Sequence, residues 1–307
     1  MPLIAVTKCH GTGNDFVLLD ARGAAEMPYA AIARELCHRR FSLGADGLLV
    51  IGEPTAPGCA ASMRTFNADG SEAEMCGNGI RCVTRYLHEE NPAKTQFDIE
   101  TAAGVMRTNI ATWQGHPGVR VAMGVPEIPK THSSEDKNVV ARIHSRADKN
   151  VVARIHSRAV AQGRTFSFSG ERYEAHSVSM GNPHTVVFGA GDPAAIDLEA
   201  LAAAANGSAN VDATNVEFAT VISDGIHMRV RERGAGETWA CGTGACAAAA
   251  AAMHSGRAES PVVVHSRGGK VLVEWAGAGH PAYLTGDAHL VYRTTVDVPT
   301  ALLRAIP

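Results

Sequence analysis

The chain repeats itself at one constant offset, and this repeat limits its possible folds more than any other feature. The matched pairs are Met63-Arg64 with Met228-Arg229, Asn67 with Glu232, Cys76-Gly77 with Cys241-Gly242, Gly79 with Gly244, and Gly104 with Gly269. Gly13-Asn14 and Gly181-Asn182 match at a slightly larger offset, and each pair comes just before a strand-like apolar run. The repeat therefore predicts two similar α/β domains, each made of short strands and one strongly marked helix start.

A cysteine stands directly before a glycine-rich helix start in both halves, in "EMCGNGIRC" (74–82) and in "ACGTGAC" (240–246). A helix N-terminus offers unpaired N–H groups and the positive end of the helix dipole, and both stabilise a thiolate. The dipole contributes roughly 0.3 to 2 kcal/mol and one pKa unit is about 1.4 kcal/mol, so the thiol pKa is predicted to fall about one unit below its usual value. The following glycines leave the same N–H groups open to a ligand carboxylate.

Two matched thiols suit one particular reaction. If the two domains bring Cys76 and Cys241 to opposite faces of a carbon atom, a thiolate can remove a proton from one face while a thiol returns one to the other. The predicted reaction is a 1,1-proton transfer that inverts a stereocentre, in which each cysteine is the base in one direction and the acid in the other. Inert buried thiols are the alternative interpretation, and it is preferred for the other five, namely Cys9, Cys37, Cys59, Cys82 and Cys246.

The helix after Cys241 contains six consecutive alanines, Ala247 to Ala252, and no charged residue before Met253. Alanine is the strongest helix former, and its small side chain lets other backbone approach closely. A buried central helix is therefore predicted rather than a solvent-facing one.

Composition excludes several classes of function. The formal charge of -3 and the pI near 6.5 give no indication of a nucleic acid or membrane partner. The sequence shows neither an apolar run of membrane-spanning length nor a signal-like start, so the cytoplasm is the expected location. The odd number of cysteines, seven, in a chain of ordinary composition argues against a disulfide framework, so at least some should be free thiols. Their spacing does not fit a zinc site, and nucleotide-binding glycine motifs are missing. No metal and no cofactor are expected.

A second repetition is local. The sequence "DKNVVARIHSRA" occurs twice in succession, over 136–147 and 148–159. Two adjacent identical copies indicate a recent duplication, because repeat architectures usually need three or more units of about 20 residues to bury a core. One copy is expected to be an extra surface insertion.

Polar residues near the two cysteines suggest a ligand with more than one charged group. Glu232 and Arg233 come shortly before Cys241, and a tight glycine loop would bring them close to it. Arginine can bind a carboxylate through two hydrogen bonds, and glutamate can accept from an ammonium group. The neutral candidates are Asn14, Asn67, Asn78, Asn182 and Asn215, each of which taken alone is more often a turn residue.

The chain resembles the diaminopimelate epimerase family over nearly its whole length. The resemblance rests on "HGTGNDFVLLD", "FNADGSEAEMCGNGIRC", "SMGNPHTVVF", "TNVEF", "RERGAGETWACGTGACAAA" and "GHPAYLTGDA". It implies an α/β fold of two pseudo-symmetric domains, each a curved, mostly antiparallel sheet or barrel around a central helix. The implied domain limits are 1–123 plus 293–307, with Cys76, and 124–292, with Cys241.

The resemblance also implies a role for each matching residue. Cys76 and Cys241 would be the catalytic pair in a cofactor-independent epimerisation of LL-2,6-diaminopimelate, a small diamino dicarboxylate. The implied substrate-binding residues are Asn14, Asn67, Gly77, Asn78, Asn182, Asn215, Glu232, Arg233, Gly242 and Thr243. His184 and Glu232 would tune the thiols, and Tyr292 would lie near the interface of a homodimer.

Two other classes remain open on the sequence. A related racemase of another amino acid would keep both cysteines, but it would not need the second charged group that Glu232 and Arg233 imply. A thiol-redox or ligand-binding protein would not need two equivalent cysteines at helix starts.

Overall fold

The computed structural model describes residues 3–129, 164–207 and 212–298. The tandem copies at 136–159 lie outside these residues. The chain divides into two compact units: unit 1 is Met1–Ala122 with Thr285–Pro307, and unit 2 is Met123–Leu284. The domain limits given above stay a prediction. In the described ranges, no helix combines the length and the apolar character that crossing a membrane requires.

Short strands dominate the described chain, with a few helices between them. Up to residue 129 the elements are β1 Leu3–Gly11, β2 Asn14–Asp20, α1 Tyr29–Leu36, β3 Gly47–Gly52, β4 Ala61–Asn67, β5 Glu72–Ala73, α2 Gly77–Glu90, β6 Gln96–Thr101, β7 Gly104–Trp113 and β8 His116–Gly124. From residue 164 they are β9 Arg164–Phe168, β10 Glu171–Ser179, β11 Pro183–Phe188, a 3₁₀ turn Pro193–Ala195, α3 Leu198–Asn206, β12 Asn215–Ile222, β13 Gly225–Glu232, β14 Gly236–Thr238, α4 Gly242–His254, β15 Val262–Ser266, β16 Gly269–Trp275, β17 Ala282–Gly286 and β18 His289–Asp297.

Unit 1 is built on a mostly antiparallel sheet. Strand β1 pairs with β18 on one side and β2 on the other, both antiparallel. Strand β2 then runs parallel to β3, and β3 runs antiparallel to β4. One core of unit 1 lies where α1 packs its buried face, including Ile32 and Leu36, against β3 and β4. These pairings place the end of β1 and the start of β2 next to α2.

Unit 2 repeats the pairing pattern of unit 1 at the offset found in the sequence. Ala61 of β4 pairs with Ile99 of β6 in parallel, and Ile226 of β13 pairs with Val264 of β15 in parallel. Both partners are shifted by the same offset that relates Cys76 to Cys241, so even the register of the strands repeats. The parallel pair β11–β12 likewise corresponds to β2–β3. The predicted fold class, an α/β arrangement of two similar sheet-rich halves, is confirmed.

Helix α4 is buried on all its sides. The six alanines Ala247 to Ala252 are each at most 2% exposed. It contacts strands β10, β11, β12, β13, β15 and β16. The prediction of a buried alanine helix is therefore confirmed, and small side chains are what let so many strands approach one helix.

Candidate active site

Both α2 and α4 begin at a cysteine in the extended N-cap conformation. Cys76 has φ −134° and ψ 112°, and Cys241 has φ −127° and ψ 118°. The Gly79 N–H donates a hydrogen bond of 3.4 Å to the sulfur of Cys76. The two thiols thus occupy the helix starts that the sequence indicates, and none of the seven cysteines, all of which lie in the described ranges, forms a disulfide bond.

Polar side chains from the β1–β2 turn surround Cys76. The thiol lies 3.9 Å from Asn14 Oδ1, and Asn78 Nδ2 donates to the same oxygen over 3.3 Å. Thr12 Oγ1 donates to Asn78 Oδ1 over 3.3 Å. Thr12 has φ +51°, in the left-handed region, so this turn adopts a backbone conformation that its contacts must hold in place. The structure therefore brings together Asn14, Cys76 and Asn78 of the predicted site.

Arg81, one turn into α2, stabilises this arrangement through its hydrogen bonds. Its side chain is fully buried, and it donates to the Gly77 carbonyl over 3.1 Å and to the Asp287 carbonyl over 3.0 Å. It also donates to Thr12 Oγ1. One planar cation therefore connects the start of α2, the β1–β2 turn and the segment before β18.

Asn67 does not join this hydrogen-bonded group in the structure. It is exposed at the end of β4, and its Nδ2 donates to Ser71 Oγ over 2.9 Å within its own turn. Its predicted contact with substrate would need that hydrogen bond to be exchanged.

A continuous line of polar groups leads to Cys241 in unit 2. Cys241 Sγ lies 3.4 Å from Thr243 Oγ1, and Asn182 Nδ2 lies 3.5 Å from the same hydroxyl. Asn182 Oδ1 lies 3.0 Å from His184 Nε2, and His184 Nδ1 lies 2.7 Å from Glu217 Oε1. The side chains of His184 and Glu217 are both fully buried. Four residues of the predicted site are thus linked, and Glu217 extends the line.

The environment of Cys241 favours its neutral thiol. Burial raises the pKa of Cys241 well above its ordinary value, and the negative charges of Glu232 and Glu217 raise it further. The Thr243 hydroxyl and the Gly244 N–H lower the pKa, but they do not offset burial. The predicted lowering of the thiol pKa by the helix end is therefore wrong for Cys241, because removing the sulfur from water disfavours the thiolate by more than one helix N-terminus stabilises it.

The remaining predicted residues lie around the β13–β14 hairpin. Glu232 pairs with Gly236 across a tight turn, so the glycine-rich loop closes as the sequence suggests. Glu232 Oε1 accepts from Thr238 Oγ1 over 2.5 Å. Asn215 Oδ1 accepts from the backbone N–H of Arg233 over 2.8 Å, and the Arg233 residue is exposed. Asn215 thus holds the turn that presents the arginine.

One group of described residues could hold a metal ion. Asp224, His227 and His265 each offer a ligand atom, and these atoms lie within 4.8 Å of one another. The ring nitrogens already have partners within the group: His227 Nε2 lies 2.9 Å from Asp224 Oδ1, and His265 Nε2 lies 3.1 Å from the backbone carbonyl of Asp224. None of the three belongs to the predicted site.

Two residues of the site were not found by sequence reasoning. Arg81 sits in a polar helix face, and nothing in the sequence shows that its side chain turns inward. Glu217 did carry a signal, because "NVEF" places a carboxylate inside an apolar strand of which every residue from Asn215 to Thr220 is buried. A charge in such a strand requires a partner, and His184 supplies it.

Comparisons with known proteins identify sequence relatives of this chain. The family model described as diaminopimelate epimerase matches residues 6–129 and 176–291. The diaminopimelate epimerase of Desulfitobacterium hafniense is 41% identical over 295 residues, covering 94% of this chain and 96% of its own length. That of Halothermothrix orenii is 37% identical over 306 residues, with the same coverage of both chains.

Solved structures with low sequence identity share the fold. A phenazine biosynthesis protein of the PhzF family from Bacillus anthracis superposes with a TM-score of 0.66 at 18% identity, over 97% of this chain and all of its own. A hydroxyproline epimerase from Agrobacterium vitis, with bound trans-4-hydroxy-L-proline, gives a TM-score of 0.65 at 15% identity, over 99% of this chain and 96% of its own.

Proposed function

Because this chain belongs to the diaminopimelate epimerase family, we propose that it is an isomerase that converts LL-2,6-diaminopimelate to meso-diaminopimelate. This reaction would serve lysine and peptidoglycan precursor biosynthesis, in the cytoplasm. The observation that carries the proposal is the pair of N-cap cysteines. They occupy equivalent positions of the repeat, and the strands around them pair in the same register in both units.

The proposed chemistry needs only the protein's own groups. Cys76 and Cys241 act on opposite faces of the α-carbon: one sulfur removes the α-proton as a thiolate while the other gives its proton to the opposite face. The C–H bond breaks on one side and a new C–H bond forms on the other, so the proton count of the protein is unchanged. The raised pKa of Cys241 supports a resting enzyme in which this sulfur holds its proton and acts first as the acid.

The carboxylate next to the reacting carbon is proposed to bind at the helix starts. The residues concerned are Gly77 with Asn78 and Gly242 with Thr243, whose backbone N–H groups lie in the first turns of α2 and α4. Hydrogen bonds there would stabilise the negative charge that develops when the α-proton leaves.

The distal charged groups of the substrate are assigned to the remaining residues. Arg233 would bind the distal carboxylate and Glu232 the distal ammonium group, with Asn14, Asn67, Asn182 and Asn215 completing the contacts. The exposure of Arg233, which leaves its guanidinium open to a ligand, supports this assignment. His184 and Glu232 are proposed to tune the thiols, and the negative charge of Glu232 does act on Cys241.

A homodimer with Tyr292 near its interface is part of the same proposal. Tyr292 lies on β18 and is 44% exposed, and its neighbour Val291 is 56% exposed. Two adjacent exposed apolar side chains on one strand favour a covered surface there.

Deuterium incorporation tests the reaction. The enzyme is incubated with LL-diaminopimelate in D₂O, and the meso product is measured by chiral chromatography while mass spectrometry measures the α-deuterium. Wild type is expected to give both, Cys76→Ala and Cys241→Ala neither, and the control Cys59→Ala wild-type turnover. Full turnover by either of the first two variants would contradict the two-base proposal.

The same assay separates the alternative functions. An amino-acid racemase of another class would exchange the α-hydrogen of its own substrate, for example L-proline, and leave diaminopimelate unlabelled. A thiol-redox or ligand-binding protein would label neither substrate.

A further inference from the structure

In the line of polar groups that ends at Cys241, the donor and the acceptor of each hydrogen bond can be assigned. Asn182 Oδ1 can only accept a hydrogen bond, so His184 Nε2, which lies 3.0 Å from it, must carry a proton. His184 Nδ1 lies 2.7 Å from Glu217 Oε1, a distance that requires one further proton between them. The imidazole and the carboxyl group together therefore hold two protons, and the pair has no net charge in either arrangement.

Donor and acceptor can also be assigned for the next two residues, Asn182 and Thr243. Since Asn182 accepts through Oδ1, its Nδ2 is the group that faces Thr243 Oγ1, and it donates over 3.5 Å. A threonine hydroxyl has a single hydrogen. Having accepted from Asn182, Thr243 can direct this hydrogen to Cys241 Sγ, which lies 3.4 Å away.

We infer that Glu217 is a positioning residue: it sets the protonation of His184 and, through Asn182 and Thr243, makes the sulfur of Cys241 the acceptor of a hydrogen bond. The inference rests on the proposed function for its purpose, because a donor at the sulfur stabilises the thiolate that Cys241 becomes once it has given its proton to the substrate, and that abstracts a proton in the reverse direction. The geometry itself does not depend on the substrate.

The burial of Glu217 supports a role beyond packing. Its side chain is fully buried, and within the described residues its Oε2 has no hydrogen-bond partner. A carboxylate held in this way is costly, and an apolar side chain would fill the strand position more favourably. Gly244 makes the arrangement possible, because a Cβ at this position would lie 2.7 Å from Glu217 Oε1.

The sign of the effect separates this inference from a simple charge effect. A bare carboxylate near Cys241 disfavours the thiolate, so removing it would make the sulfur more reactive. If Glu217 instead acts through the line of hydrogen bonds, its removal lets Thr243 turn its hydrogen away, and the sulfur becomes less reactive.

The experiment measures how fast iodoacetamide alkylates Cys241 in the substrate-free enzyme between pH 7 and pH 10, resolved by peptide mass spectrometry. Cys59, which is partly exposed, is the reference thiol in every sample. Thr243→Val is expected to slow alkylation of Cys241 about tenfold, the effect of one lost hydrogen bond to a charged group, whereas Thr243→Ser restores it. Thr220→Val removes a buried hydroxyl elsewhere on β12 and is expected to change nothing.

Glu217 is then tested by two substitutions. Glu217→Met, which keeps the side-chain length, is expected to slow alkylation of Cys241 about tenfold, and Thr243→Val is expected to add nothing to it. Glu217→Gln is expected to retain most of the rate, because its amide can donate to His184 Nδ1 and preserve the direction.

If Glu217→Met does not fold, Asn182→Asp tests the same link, because its second oxygen takes up the Thr243 hydrogen. Alkylation must then slow, with no further effect of Thr243→Val. Faster alkylation in Glu217→Met, or additive losses in either double variant, would overturn the inference. Because alkylation needs no substrate, these outcomes are independent of the epimerase assay: loss of the coupling with intact turnover refutes the positioning role alone, and intact coupling without turnover refutes the proposed function alone.

Discussion

Replacing Arg81 with methionine should destabilise unit 1 far more than a single surface substitution. The guanidinium is fully buried and donates to two backbone carbonyls, those of Gly77 and Asp287, as well as to the Thr12 hydroxyl. Methionine occupies a similar volume but has no N–H group. The substitution therefore removes the side-chain donors of these acceptors without opening a large cavity.

The magnitude follows from the acceptors left behind. The Gly77 carbonyl keeps its backbone hydrogen bond within α2, so the Asp287 carbonyl is the acceptor that loses its donor, at a cost of about 1–3 kcal/mol. The Thr12 hydroxyl can rotate and still donate to Asn78, so it adds little. A loss of about 2 kcal/mol in the free energy of unfolding of unit 1 is expected.

Hydrogen exchange in increasing urea, followed by mass spectrometry, measures this loss unit by unit. Peptides from α2 and β18 should exchange as the destabilised unit, while peptides from α4 keep their wild-type protection. Arg85→Met is the matched control on the same helix. Within the described residues, Arg85 forms a partly exposed ion pair with Glu89 at 3.3 Å. This pair should contribute less than about 1 kcal/mol. Equal effects of the two substitutions would refute the account of Arg81.

Three further predictions test burial and charge. Burial raises the pKa of Cys37 to about 11, so the folded state binds the proton more tightly than the unfolded state; the free energy of unfolding should fall by about 2–3 kcal/mol between pH 9 and pH 11 in urea titrations, but not in Cys37→Ala. Burial alone would raise the pKa of Asp15, but hydrogen bonds from groups such as Arg39 outweigh it and lower the pKa to about 2; about 2 kcal/mol of stability should therefore disappear as pH falls from 4 to 2, and Asp15→Asn should remove this dependence. Ala249→Leu in α4 should cost about 1–3 kcal/mol or more by overpacking, whereas Ala203→Leu on the half-buried face of α3 should cost less than about 0.5 kcal/mol; similar thermal midpoints for the two would contradict the close packing of α4.

The sequence predicts the repeated arrangement of strands and helices well, because the repeat can be recognised from residue spacing alone. The constant offset of the repeat reappears in strand register, in both N-cap cysteines and in an ion pair, since Arg64 with Glu72 corresponds to Arg229 with Glu237. The pKa of Cys241 could not be predicted in this way, because it depends on how completely the neighbouring strands exclude water. The local sequence pattern shows where the helix N-terminus lies, but tertiary packing determines how much the helix dipole changes the thiol pKa.

The direction in which a charged side chain points was equally hidden. Asn67 and Glu232 are equivalent in the repeat and each bonds within its own hairpin, yet Asn67 is neutral while the charge of Glu232 acts on Cys241. Spacing along a strand fixes which positions correspond, whereas side-chain contacts depend on neighbours from distant segments. Residue roles are for this reason harder to infer than the frame that carries them.

The two halves also support their thiols by different means, and this has a consequence for the chemistry. The turn with Asn14 in unit 1 is held by Arg81, whereas the equivalent turn with Asn182 in unit 2 is held by His184, itself paired with Glu217; the position equivalent to Arg81 is Cys246. A guanidinium keeps its charge at any working pH, but an imidazole and a carboxyl group can exchange a proton. The two thiols therefore lie in matching positions with unequal surroundings. Unequal surroundings allow one thiol to ionise at a pH where the other keeps its proton, and the proposed two-base inversion must start from such a state.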